Sequence, residues 1–136
     1  MKIDLLGKLY IALMSGYFII SGANALLDID AKLARIGLAA INFDGKIAFI
    51  LIYCSLMVGI GIAIALLYYY SKSWQYSALL ATTIVTAFIV FRILGAFLVG
   101  TMSQVQLTFS LVEFIEVTIG LILLKYSTSP VPKLAN

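Results

Sequence analysis

Arg92, Glu113 and Glu116 lie in the stretch FRILGAFLVGTMSQVQLTFSLVEFIE, residues 91–116, which otherwise has the composition of membrane-crossing sequence. An ionisable side chain at the centre of a bilayer helix costs about 2.5–3.5 kcal/mol on insertion scales, so such groups turn towards protein and pair there. Glu113 and Glu116 are spaced i, i+3, which puts both carboxylates on one helix face, in reach of a guanidinium on a facing helix. One cation against two acids leaves a negative charge over, unless one glutamate holds a proton. That surplus acid is the chemistry on offer: a carboxyl that binds a ligand or carries a proton. The plainer alternative is a pair that neutralises itself and fixes helix register.

The elements that must position these groups follow from composition. The chain has 136 residues, 63% hydrophobic and only 11% charged, with a mean hydropathy of +1.12. That is an integral membrane protein, and at about 20 apolar residues per span the length allows one small domain. Histidine is absent and Cys54 is the single cysteine. Histidine-ligated haem, thiolate iron–sulfur clusters, structural zinc and intrachain dithiol chemistry are thereby excluded, and no cofactor or metal is expected. The nine basic residues are scattered, so nucleic acid is not an expected partner. Without a histidine base, an activated nucleophile or a glycine-rich phosphate loop, the expectation is a protein that is not an enzyme.

Hydropathy predicts spans over about 6–27, 47–70, 74–98 and 105–124, an all-α four-helix transmembrane bundle, with the tail 127–136 outside it. Lys2 and Lys8 ahead of an apolar run ending in Ala23-Asn24-Ala25 resemble a secretory signal, but the run from Leu9 to Leu27 is long for one, and an uncleaved first span is expected. Small residues at Ser15, Gly16, Ser21, Gly22 and Ala23, and in GIGIAIA over 59–65, suit close helix packing. Residues 30–46 are too charged to span. Leu33, Ile36, Leu38 and Ile41 against Lys32 and Arg35 predict a short interfacial helix, with Asp30 as its N-cap and Gly37 or Asp44-Gly45 to stop it. Tyr68, Tyr69, Tyr70, Trp74 and Tyr76 around Lys72 read as an interface belt. Thr82, Thr83 and Thr86 are placed to bond back to their own helix. Four spans put Lys2, Lys8, Lys72, Lys125 and Lys133 on one side and Lys32, Arg35 and Lys46 on the other, which favours cytoplasmic termini.

Rise per residue gives depth. With Val99 and Val105 as the rims of the last hairpin, Arg92 lies about 10 Å inside, Glu113 about 12 Å and Glu116 about 16 Å. From the same side, Asn24 and Ser21 on the first span lie about 5–10 Å deep, and Tyr53 and Ser55 on the second about 9–12 Å. Arg92, Glu113, Glu116, Tyr53 and Asn24 are therefore the candidate polar layer or ligand pocket.

Three segments, Arg92-Ile93-Leu94-Gly95, Glu116-Val117-Thr118-Ile119-Gly120 and YCSLMVGIG from Tyr53 to Gly61, resemble small four-span bacterial proteins of the DoxX-like superfamily, and within it the domain of unknown function 4345 family. The resemblance covers most of the chain, through short apolar motifs. Two departures stand out: that family commonly has an arginine near the start of span two, where this chain has Ile50 or its neighbours, and its glycine pair after the tyrosine is Cys54-Ser55 here. The family has no settled activity. Wider relatives include small membrane subunits of quinone-linked oxidoreductases and factors that assist membrane-protein assembly. The resemblance thus implies an accessory role in a bacterial cytoplasmic membrane, with lipids and another membrane protein as partners. The residues themselves leave a second reading open, a binder or carrier with an outward-facing polar pocket for a small lipophilic or cationic ligand.

Overall fold

The structure, a computed structural model, describes residues 2–127. Its described residues form five helices: α1 (Lys2–Leu27), α2 (Ile29–Arg35), α3 (Phe43–Ser71), α4 (Trp74–Val99) and α5 (Gln104–Lys125). All but α2 are long and apolar enough to cross a membrane. The expected all-α class holds, with four spans and a short helix between the first and second. α1 starts four residues earlier than hydropathy predicts and α3 likewise, because the charged turns ahead of the apolar runs continue the same hydrogen-bond ladder. The expected tail lies outside the described residues except for Ser127.

Contacts divide the chain into two compact units, Met1–Ile11 with Leu67–Asn136, and Ala12–Leu66. In the second unit, α1 and α3 meet at glycines. A Cβ on Gly22 would sit 2.8 Å from the Cys54 carbonyl oxygen and 2.9 Å from Val58, and one on Gly61 would sit 2.7 Å from the Ser15 carbonyl oxygen. Backbones approach this closely only where no side chain intervenes. At the crossing Ser15 Oγ donates to the Gly61 carbonyl at 2.8 Å, giving a buried hydroxyl its partner. Gly16 and Gly59, also small and also in the predicted packing set, have open space where a Cβ would go.

Asp28, not Asp30, caps α2: it is extended at φ −150°, and its Oδ1 accepts from Ala31 N at 2.9 Å. Asp30 falls in the first turn and is free to pair with Lys46 Nζ at 2.7 Å. Gly37, at φ +78°, ends the segment in the left-handed region that favours glycine. Leu33 carries the inward face of α2, buried with Ala25, Phe49 and Cys54. Asn42 caps α3, accepting from Gly45 N at 2.9 Å. One turn of α3, Ile50–Cys54, is wound as a π-helix, a local over-wide turn that re-aims the side chains after it.

In the first unit, the start of α1 packs on α4 and α5. Trp74 is buried over Gly7, where a Cβ would come within 2.6 Å of its ring, and its Nε1 donates to Asp4 Oδ1 at 3.0 Å. Trp74 is thus a packing residue; Tyr69 and Tyr70 are the exposed members of the aromatic group. Gln75 Nε2 donates to Ser127 Oγ at 2.9 Å, so the starts of α1 and α4 and the end of α5 gather at one end of this unit. At its opposite end Gly100, φ +80°, closes α4, and Ser103 caps α5 by accepting from Gln106 N at 3.3 Å.

Candidate functional site

The α4–α5 hairpin is antiparallel because the turn between Val99 and Gln104 is too short for anything else. Arg92, seven residues before the end of α4, therefore stands level with the second and third turns of α5. There its guanidinium takes Glu113 in a two-pronged grip, Nε donating to Oε2 at 3.0 Å and Nη2 to Oε1. Nη1 donates to Gln106 Oε1, and the guanidinium lies 5.5 Å from the centre of the Phe109 ring. The fork geometry matches a carboxylate and makes this the strongest polar contact in the hairpin. The Arg92 and Glu113 side chains keep only 22% and 12% of their surface exposed.

Glu116 stands apart from that grip. Its carboxyl carries no ion pair and no side-chain hydrogen bond among the described residues. It lies half-buried, and its neighbourhood is set by its backbone: Tyr10 Oη donates to the Glu116 carbonyl at 3.3 Å and lies 3.2 Å from Thr82 Oγ1. Gly120 lies against the same tyrosine, and a Cβ there would come within 2.7 Å of Tyr10 Oη. Of the three threonines expected to bond to their own helix, Thr86 does so, to the Thr82 carbonyl at 2.7 Å, whereas Thr82 turns its hydroxyl to α1.

A groove of about 430 Å³ opens beside Arg92, walled by Phe88, Phe91, Arg92, Gly95, Met102 and Gln106. Gly95 contributes an open floor, with nothing within 4 Å of where its Cβ would be. Neither Glu113 nor Glu116 lines it.

Tyr53 and Asn24 belong to the other unit. Tyr53 is half-buried, stacked on Phe49 with ring centres 5.0 Å apart, and Lys32 Nζ lies 5.3 Å over its ring. The same ammonium donates to Ser21 Oγ at 3.4 Å. Asn24 is exposed on α1, away from that group, and the Ser55 hydroxyl bonds back to the Leu51 carbonyl. Sequence reasoning missed Gln106, Tyr10 and Lys32. Gln106 had a usable signal, since i, i+7 before Glu113 is two helical turns on one face. Tyr10 had none, because its partners lie 72 and 106 residues away in sequence, and Lys32 read only as a charge on the polar side of the short interfacial helix.

Among the described residues no group of three or more acidic, cysteine or histidine side chains is placed to hold a metal ion. Four helices able to span a bilayer define the class: an all-α integral membrane protein. Compared with models of protein families, with curated proteins and with solved structures, the chain finds no match.

Proposed function

We propose that this chain is a non-enzymatic component of a larger membrane assembly, an accessory subunit or assembly factor that works by helix association. The observation that carries the reading is an outward face of α3. Ser55, Gly59 and Ala63 recur every four residues there, all exposed, and with Leu51, Ile52, Leu56 and Ile60 they line a groove of about 580 Å³. Inside a bilayer no hydrophobic force drives helices together, and small residues that admit a second backbone are the usual basis of association. Gly61, one residue-pair on, already serves α1, so the two small-residue faces of α3 divide between an internal and an external use. The Arg92–Glu113–Gln106 group supports the same reading, since its three bonds tie α4 to α5 and brace the hairpin.

The likeness to the DoxX-like superfamily and the domain of unknown function 4345 family belongs to this proposal, as do a bacterial cytoplasmic membrane and cytoplasmic termini. The test is site-directed photocrosslinking from positions 59 and 63 in native membranes, with Gly59→Leu as the blocking variant. A single protein partner captured from both positions, and lost in Gly59→Leu with helicity unchanged, supports the proposal. A chain that crosslinks only to lipid at both positions overturns it.

A further inference from the structure

We propose that the groove beside Arg92 is a binding site for one membrane phospholipid, with an acyl chain laid along Gly95 and Ala96 and its ester or phosphate oxygens accepting from Arg92. The site rests on the membrane reading of the chain and goes beyond the association role.

A guanidinium such as that of Arg92 has five N–H donors. Three are used, by Glu113 twice and Gln106 once, which leaves one N–H on each terminal nitrogen without an acceptor among the described residues. Its charge is already balanced by Glu113. The site therefore asks for acceptor oxygens and not for net negative charge.

α4 has 26 residues, about 39 Å at about 1.5 Å each, close to the about 40–45 Å of a bilayer with its headgroups. A headgroup layer is about 5–7 Å thick, so Arg92, about 10 Å below the end of α4, has its backbone just under the headgroups. Its guanidinium is held between Glu113 and Gln106, and Gln106 stands only about 3 Å inside the start of α5, which draws the free N–H groups towards the ester level. Along the groove the hydroxyls of Thr101 and Ser103 come at the mouth, Arg92 next, and Phe88 deepest, about 16 Å below Val99. That is the order of headgroup, ester and acyl chain in one lipid. The groove is walled by residues of α4, the turn after it and the start of α5, and its floor is empty at Gly95.

Native mass spectrometry of the full chain tests this, after extraction in mild detergent and exposure to vesicles of equal parts phosphatidylglycerol and phosphatidylcholine. Expected is one retained phospholipid per chain with neither headgroup enriched. That lipid should be lost in Gly95→Leu, whose side chain enters the groove, and kept in Gly59→Leu on the α3 face. Absence of retained lipid in the unaltered chain, or equal retention in Gly95→Leu, overturns the site. Should Gly95→Leu fail to fold, a phospholipid with a photoreactive acyl chain decides the question on the unaltered chain: crosslinks confined to residues 88–96 support the site, and crosslinks elsewhere overturn it. Because the association role is read from partner capture at Gly59, the two proposals fail separately.

Discussion

Removing both members of the Arg92–Glu113 pair should cost less than the two single losses summed. Arg92→Met keeps most of the apolar stem and deletes the charge, leaving Glu113 at 12% exposure with no cation. Glu113→Gln keeps the shape and deletes the opposite charge. In water-soluble interiors, breaking such a pair from one side costs about 3–5 kcal/mol. In a membrane the unfolded helices find other partners, and single hydrogen bonds couple by about 0.6 kcal/mol on average and about 1.7 at most. Two parallel bonds join Arg92 to Glu113, so a coupling energy of about 1–3 kcal/mol is expected, with each single variant destabilised by about 2–4 kcal/mol. Unfolding titrations in mixed micelles, followed by helicity, would give the three variants on one scale. The double variant should recover about 1–3 kcal/mol of the summed loss. If the two losses instead add to within about 0.5 kcal/mol, the pair is not what holds the hairpin, and the structural role given to it is wrong.

Three further perturbations probe the packing within each unit. Gly61→Ala should destabilise by about 1–3 kcal/mol, because the added Cβ would meet the Ser15 carbonyl oxygen at 2.7 Å, a backbone atom that cannot swing away. Gly59→Ala, two residues earlier in the same helix but with open space, should gain up to about 1 kcal/mol from helix propensity; the same unfolding titration reads both, and equal effects would contradict the assignment of faces. Tyr10→Phe removes the hydroxyl that bonds to Thr82 and to the Glu116 carbonyl and should cost about 0.5–1.5 kcal/mol, with a smaller loss in a Thr82→Val background, where only the bond to the Glu116 carbonyl is left to lose; an undiminished loss there would show that the two hydroxyls act separately.

Much of the fold was legible because the membrane makes it so. A bilayer span must satisfy its own backbone, so long apolar runs become helices; their punctuation was legible only in part, since Gly37 ends the α2 segment as expected whereas the cap fell to Asp28 and not Asp30. That Arg92 stands level with the glutamates of α5 was legible too, since a short turn forces the hairpin and equal rise per residue fixes which positions match in depth. The π-turn at Ile50–Cys54 was not: ILIYC has neither proline nor glycine to announce it. Nor could composition tell which glycines pack, since Gly59 and Gly61 are two residues apart in one apolar run and point to different surroundings.

The sequence by itself therefore determined the class, the four spans, the last hairpin and the level of its charges, all consequences of hydrophobic length and helical rise acting locally. Only tertiary structure decided how the two glutamates divide. They share one face of α5, yet Arg92 grips Glu113 and also donates to Gln106, while Glu116 meets Tyr10 through its backbone carbonyl. The physical reason is that a guanidinium fork holds one carboxylate at a time in its two-bond geometry, and which carboxylate it takes depends on the rotation of α5 about its own axis, set by contacts such as Gly120 against Tyr10 that lie far apart in sequence.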